Sequence, residues 1–135
     1  MSLEENKAIV RKMVEAFNKR DLAVLDELMA PDYVDHTNQV RGLENVKQFY
    51  TMVFKDFPDF HRTIEDIIAG GDKVWARFKT TGTAPSGKKM ELTSITIFRI
   101  FSGKVVERKS VRDMLDFLRQ LGVIEPTEKA KKLFP

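Results

Sequence analysis

The first third of the chain has apolar residues at the spacing of amphipathic helices. A first helix is predicted to begin after Ser2, because Glu5 follows it at the spacing of a capping box. The apolar face of this helix consists of Ile9, Met13, Val14 and Phe17. A short second helix is predicted between Asp21, a favoured N-cap residue, and Pro31, which cannot continue a helix. A third helix is predicted over residues 43–55, with an apolar face of Val46, Phe49, Tyr50, Val53 and Phe54.

The second half of the chain has the alternation and composition of β-strands. Strands are predicted over residues 60–69, 74–79, 90–101 and 104–113, with Ile64 and Ile68 on one face of the first of them. Gly70-Gly71-Asp72 and Ser102-Gly103 are turn sequences that favour hairpins. A short extended segment over residues 33–36 precedes the third helix, and a last amphipathic helix is predicted to begin at Met114 and to stop at Gly122.

This order of elements indicates an α+β fold. Helices followed by hairpin-linked strands form a curved antiparallel sheet with the helices packed on one face. The chain has no β-α-β alternation, which argues against a Rossmann sheet. A curved sheet closed by helices leaves a cone-shaped interior, where small ligands usually bind. We therefore predict one domain over residues 1–124, followed by a charged tail over residues 125–135.

Composition narrows the functional classes. With 135 residues, 42% of them hydrophobic and 32% charged, the chain has the balance of a soluble domain. Its net charge of +3 has no dense basic stripe interleaved with aromatics, so no nucleic-acid partner is predicted. The absence of cysteine excludes a disulfide framework and a thiol nucleophile. The acidic start lacks the features of a signal peptide, and no apolar run reaches the roughly 20 residues that span a bilayer. We predict a cytoplasmic protein without membrane association.

Several local sequences resemble SnoaL-like polyketide cyclases, a family of the nuclear transport factor 2-like superfold. The segments AFNKRDL at residues 16–22 and LMAPDYVDH at residues 28–36 resemble the opening of that family. The segments around residues 98–107 and LRQLG at residues 118–122 are similar to its closing part. The resemblance runs from about residue 7 to residue 122. It implies the cone-shaped fold, a homodimer formed through the sheet, and no metal or organic cofactor.

The resemblance also implies a catalytic residue. In characterised cyclases of the family an aspartate acts as general acid/base in an intramolecular aldol closure, and Asp113 best matches that position. One carboxylate in a dry pocket can both remove a proton from carbon and deliver one to a carbonyl oxygen. Asp113 is also suited to be the N-cap of the last helix, and the N-cap is the role that its position favours. Strand alternation puts Glu107, Lys109 and Asp113 on one face, so Lys109 would pair with these carboxylates or receive an anionic ligand.

Further candidates lie on the early extended segment and the sheet. His36 and Asp35 lie at the predicted cavity rim, where they could assist Asp113, with His36 transferring protons, or His36 could be a plain hydrogen-bonded rim residue. His36 and His61, the two histidines, lie too far apart in the chain for ligand spacing, so no metal site is predicted. The residues predicted to line the cavity, some of which could equally be core, are Tyr33, Asn38, Tyr50, Phe54, Trp75, Thr93, Thr96 and Lys109.

Three functions remain open from the sequence. The first is a cofactor-independent cyclase or isomerase that acts on a small apolar carbonyl compound, with Asp113 as acid/base. The second is a non-catalytic domain that binds a small molecule. The third is a dimeric interaction module that uses the outer sheet face around Trp75 and Arg77.

Overall fold

The computed structural model describes residues 2–133 and consists of a six-stranded sheet with helices packed against it. The strands lie in the order β2-β1-β6-β5-β4-β3. The helices are α1 (Leu3–Asn18), α2 (Leu25–Leu28), α3 (Leu43–Asp56), α4 (Met114–Gln120) and α5 (Glu128–Leu133). The strands are β1 (Met29–Asp35), β2 (Val40–Arg41), β3 (His61–Gly70), β4 (Lys73–Thr83), β5 (Lys89–Phe101) and β6 (Lys104–Arg112). The α+β class predicted from the sequence is confirmed.

The first and third predicted helices form as expected, whereas the second is shorter. Ser2 is the N-cap of α1, where its Oγ accepts a hydrogen bond from the Glu5 amide at 3.1 Å. Helix α2 has only four residues, and the residue before it, Val24, makes no side-chain cap. Asp21 is therefore not its cap, and Pro31 lies inside β1 rather than ending a helix.

Alternation along β4 and β5 separates an inner sheet face, against the helices, from an outer one. Val74, Ala76 and Phe78 are buried on the inner face, where they join one hydrophobic core with α1 and α3. In β3 the register shifts between Ile64 and Asp66, which is a β-bulge. Because of this extra residue, Ile64 packs against the core whereas Ile68 is exposed on the outer face, so the expectation that they share a face was wrong.

One pair of strands departs from the predicted antiparallel sheet. The short extended segment becomes β1, which pairs with β6 in parallel and sets Asp35 opposite Arg108. Parallel neighbours need a long connection. Here that connection contains α3 and the β3–β5 meander. Residues of β1 and β6, which are far apart in the sequence, therefore become neighbours in the sheet.

The C-terminal region contains two short helices. Helix α4 lies against β5, and the side-chain amide of Gln120 exchanges two hydrogen bonds of 2.7 Å with the backbone of Glu91. Helix α5 is exposed and falls within the predicted charged tail, whose last two residues lie outside the described part of the chain. Among residues 2–133, no helix combines the length and the apolar character that a membrane span requires.

Candidate functional site

A cavity of about 180 Å³ lies between α3, the inner face of β3–β6 and α4. An engineered cavity of about 150 Å³ in another protein holds benzene, so this one has room for a group of one or two rings. Its apolar walls include Phe49, Val53, Phe57, Phe60, Met90 and Phe117. Its polar lining includes Asn38, Tyr50, Arg62, Thr96, Arg108 and Arg112.

The three arginines reach the cavity from strands at different positions in the sheet. Arg108 and Arg112 lie on β6, whereas Arg62 lies at the start of β3, two strands beyond β5. The side chain of Asn18 pairs with the backbone N–H and C=O of Arg62, at 2.9 Å in both bonds. This pairing ties the end of α1 to β3 and fixes the point from which the Arg62 side chain enters the cavity.

Arg108 is the centre of a buried polar network, with only 6% of its surface exposed. Its Nη1 donates to the Tyr50 hydroxyl at 3.0 Å and its Nη2 donates to Ser110 Oγ at 2.8 Å. Ser110 Oγ is in turn 2.6 Å from Thr96 Oγ1. The Nε atom lies 3.6 Å from Asp35 Oδ1, which makes an ion pair but is too long for a hydrogen bond.

Asp35 connects two of the arginines through its own turn. Its Oδ1 accepts hydrogen bonds from the amides of Thr37 and Asn38, each at 3.0 Å, and its Oδ2 accepts from Asn38 Nδ2 at 2.9 Å. The side-chain oxygen of Asn38 then accepts from Arg112 Nη1 at 3.2 Å. The carboxylate is only 1% exposed and is an acceptor for this turn as well as the ion-pair partner of Arg108.

The two tyrosines of the chain have opposite electrostatic environments. Burial by itself raises the pKa of Tyr50, but the positive charges of Arg108 and Arg62 outweigh it, so the Tyr50 pKa is lowered. Burial dominates at Tyr33 and raises its pKa well above the usual value, although Arg108 opposes this. The Arg62 guanidinium also lies over the rings of Phe60 and Phe78, at 5.3 and 5.4 Å from their centroids. The ionised form of Tyr50 is therefore stabilised by two guanidinium groups.

The structure places the residues predicted for the cavity at three different locations. Asn38, Tyr50 and Thr96 line it. Tyr33 lies in the core and is not part of the lining. Phe54 packs under the guanidinium of Arg20, whose carbon is 4.0 Å from the ring centroid, and is likewise absent from the lining.

Trp75, Thr93 and Lys109 lie on the outer sheet face, which corrects their predicted place in the cavity. Thr93 and Thr96 are three residues apart on β5, and strand alternation cannot put both on one face. Trp75 pairs with Ile97, and Ile97 pairs with Lys109, in a row across the outer face. Lys109 therefore cannot receive a ligand inside the cavity.

None of the predicted acid/base residues lines the cavity: Asp35 is buried behind the lining, and Asp113 and His36 also lie outside it. Asp113 is exposed, and its Oδ1 caps α4 by accepting from the amide of Asp116 at 3.1 Å. On the outer sheet face, His36 Nε2 is 2.9 Å from Glu107 Oε2. Arg99 Nε donates to the other oxygen of Glu107 at 2.7 Å. The hydrogen bonds from His36 and Arg99 lower the pKa of Glu107.

The three cavity arginines were missed by sequence reasoning. Along β6 the register shifts between the pairs Arg99–Glu107 and Ile100–Val105, so a bulge lies between Val105 and Arg108. Both of those residues are buried. Strict alternation from Val105 would instead turn Glu107 inward, which is why the pattern did not indicate Arg108. Within residues 2–133, no group of three His, Asp or Glu side chains is arranged to hold a metal ion.

A family model and several solved structures similar to this chain are described as polyketide cyclases. A sequence model described as SnoaL-like polyketide cyclase matches residues 7–121. The crystal structure of IdmH, a candidate polyketide cyclase from Streptomyces antibioticus, is similar at 31% identity and a TM-score of 0.76, covering 87% of this chain and 99% of that one. A candidate polyketide cyclase from Bacillus cereus is 28% identical, with a TM-score of 0.79 over 90% of this chain and 83% of that one.

Not every similar structure is described as a cyclase. AclR from Streptomyces galilaeus, described as a candidate hydroxylase, is 26% identical, with a TM-score of 0.82 over 99% of this chain and 95% of that one. No curated protein matches the chain significantly.

Proposed function

This chain belongs to the SnoaL-like polyketide cyclase family, and we propose that it catalyses a cofactor-independent cyclisation or isomerisation of a small carbonyl compound bound in the cavity. The observation that carries this proposal is the Tyr50 hydroxyl, which lines an apolar-walled cavity and accepts a hydrogen bond from Arg108. Because the phenol oxygen accepts from Arg108 in either protonation state, it can take a proton from a ligand when ionised and donate one when neutral.

The proposed reaction begins with removal of a proton from the carbon next to the carbonyl group. The ionised Tyr50 oxygen takes this proton, and the electron pair of the C–H bond moves into an enolate. The lowered pKa of Tyr50 favours the ionised form that this step needs. The guanidinium groups of Arg62 and Arg108 line the same cavity and stabilise the negative charge as it moves from the phenol to the enolate oxygen.

The second half of the reaction returns the proton. In a cyclisation, the enolate carbon forms a bond to a second carbonyl carbon of the same molecule, and the C=O electron pair moves to oxygen. That oxygen then takes the proton from the Tyr50 hydroxyl, which regenerates the ionised phenol. In an isomerisation the same proton is instead returned to a different carbon. Either route leaves the enzyme unchanged and needs no oxidant, reductant or other reactant.

Asp35 has a positioning role in this proposal. Its carboxylate pairs with Arg108 and accepts from the turn that carries Asn38, so it orients both residues toward the cavity. Asp113 and His36 have no step in the proposed reaction, since neither lines the cavity.

Hydrogen–deuterium exchange tests the proton-transfer step without knowledge of the natural substrate. We expect the protein to accelerate exchange of the α-protons of 2-tetralone, a two-ring ketone, in D₂O, measured by proton NMR. Tyr50→Phe should remove this acceleration because it deletes only the hydroxyl. Tyr33→Phe is the matched control, since Tyr33 is also buried and lies outside the cavity.

The same assay separates the alternatives. If Tyr50→Phe retains the exchange and Asp113→Asn loses it, the carboxylate mechanism implied by the family resemblance is correct and the tyrosine mechanism is wrong. If 2-tetralone binds in the cavity, shown by NMR shifts of the Phe117 and Tyr50 signals, but no exchange occurs, the domain binds without catalysis.

We further propose that two copies associate through the outer sheet face. An apolar patch there comprises Ile68, Ile95, Ile97 and Val111, with Trp75 between two of them. Ile95 is 52% exposed and Val111 is 79% exposed, and the two residues are directly paired across β5 and β6. Contiguous exposed apolar side chains of this kind are typical of an association surface.

A further inference from the structure

Building on the proposed function, we propose that the ligand of this cavity carries a carboxylate, on a carbonyl compound of one or two rings, and that Arg62, Arg108 and Arg112 recognise it. The family assignment does not supply this feature. It follows from the charges that surround the cavity and from the hydrogen-bond capacity that those charged groups have left.

The lining of the cavity is strongly unbalanced in charge. Three guanidinium groups line it, and no aspartate or glutamate is among the described residues that do so. Asp35, behind the lining, is the one carboxylate that pairs with any of the three among residues 2–133. Ionisation of Tyr50 adds at most one more negative charge. At least one guanidinium charge is therefore left uncompensated in a partly enclosed apolar cavity, where an anion is strongly favoured.

Asp35 has little remaining capacity to satisfy the arginines. Its two oxygens accept three hydrogen bonds from Thr37 and Asn38, and its contact with Arg108 is a long ion pair of 3.6 Å. The buried Nε of Arg108 has no hydrogen-bond acceptor among the described residues. Arg112 donates to Asn38, which is neutral. The Nε of Arg108 faces Asp35 behind the lining. The donors for an incoming carboxylate are therefore those of Arg62 and Arg112, whose side chains line the cavity. Guanidinium groups bind carboxylates with matched planar geometry.

The apolar walls of the cavity determine the size and polarity of the rest of the ligand. Its walls are rich in phenylalanine, and the Arg62 guanidinium lies against Phe60 and Phe78. A flat ring system can pack on these walls while its carboxylate faces the arginines. A long aliphatic chain or a large polar headgroup does not fit a space of about 180 Å³ with such walls.

Three matched probes test this inference: 2-naphthoate, 2-naphthamide and 2-acetylnaphthalene, which share one ring system and differ in charge. Binding is measured by isothermal titration calorimetry at pH 7.5 in 0.15 M and 0.5 M NaCl. We expect 2-naphthoate to bind about tenfold to about a hundredfold more tightly than 2-naphthamide, the range that one hydrogen bond between charged groups supplies. The preference should largely persist at 0.5 M NaCl, because partly buried pairs are weakly screened.

Two variants locate the preference. Arg62→Gln and Arg112→Gln should each reduce the preference for 2-naphthoate over 2-naphthamide severalfold. Arg11→Gln is the matched control, since Arg11 is an exposed arginine of α1 that lies outside both the cavity and the outer sheet face. Two different cavity variants are used so that a folding defect in one, detected by circular dichroism, leaves the other to decide.

The outcomes distinguish this inference from the proposed function. If 2-acetylnaphthalene binds and 2-naphthoate binds no more tightly than 2-naphthamide, the carboxylate inference is wrong and the proposed function stands. If Arg11→Gln lowers the preference as much as the cavity variants, the attraction is a general surface effect and the inference is also wrong. If none of the three probes binds, the inference and the proposed function are both overturned.

Discussion

Replacement of Arg108 by methionine should destabilise the protein more than almost any other single change at the site. Methionine retains much of the aliphatic volume of arginine but removes its charge and all its donors. Asp35 is 1% exposed and pairs with Arg108 at 3.6 Å, so the variant leaves a carboxylate buried without its charge partner. The hydroxyls of Tyr50 and Ser110 also lose their hydrogen bonds from the guanidinium.

The expected magnitude follows from the burial of this pair. Removal of one partner of a buried ion pair costs about 3–5 kcal/mol, because the other charge stays in a low-dielectric site. The whole free energy of unfolding of a domain is about 5–15 kcal/mol, so Arg108→Met should consume a large share of it. The double variant Asp35→Asn/Arg108→Met contains no buried charge at this position. We therefore expect it to be more stable than Arg108→Met alone by more than about 1 kcal/mol.

Urea denaturation measures these differences, followed by circular dichroism and by the fluorescence of Trp75, the one tryptophan of the chain. Arg11→Met, at an exposed position of α1, is the control for loss of a positive charge and should change stability by no more than about 0.5 kcal/mol. The reasoning is refuted if Arg108→Met unfolds within about 1 kcal/mol of the native protein. It is also refuted if the double variant loses the sum of the two single losses, since the two side chains would then be energetically independent.

Three further outcomes are expected. In an ultraviolet titration of phenolate absorbance, Tyr50 should ionise below the usual pH range and Tyr33 only on unfolding. Tyr50→Phe should therefore remove the early transition, and Tyr33→Phe should keep it. Glu107→Gln should lower stability near neutral pH and make no difference in strong acid. The folded-state pKa of Glu107 is depressed, so its contribution is present above the unfolded pKa of about 4.3 and is lost as pH falls through the folded value. Ile95→Lys should convert a dimer to a monomer in light scattering coupled to size-exclusion chromatography, and an unchanged mass would contradict association through the outer face.

The element order was largely readable from the sequence because the signals were local. Ser2 and Glu5 marked the start of α1, and the glycines of the turns marked the hairpins. The strand β1 was seen only as a short extended segment. Its parallel pairing with β6 depends on contacts between Asp35 and Arg108, which no local pattern encodes.

The cavity lining was harder to predict because it depends on which alternate residues of each strand face inward. One bulge in β3 turns Ile68 outward, and another in β6 brings Arg108 inward next to Val105. A single inserted residue exchanges the faces of everything that follows it. Family resemblance directed attention to Asp113 and strand alternation to Lys109, whereas the geometry directs it to residues of the inner sheet face. Site residues predicted from strand alternation alone are therefore wrong wherever a bulge precedes them.

The parallel pairing of β1 with β6 also determines when the site can exist during synthesis of the chain. Thr37 and Ser110, which hydrogen-bond to each other at 2.6 Å, are separated by 73 positions. A nascent chain that has already exposed α1, α3 and the β3–β4 hairpin still lacks Arg108 and Arg112 and holds Asp35 without its cation. Contacts of such sequence separation are slow to form, because the loop between them must close first. We expect ribosome-bound chains that end before β6 to remain protease-sensitive at residues 29–41, and protection there to arise in one step once β6 has emerged.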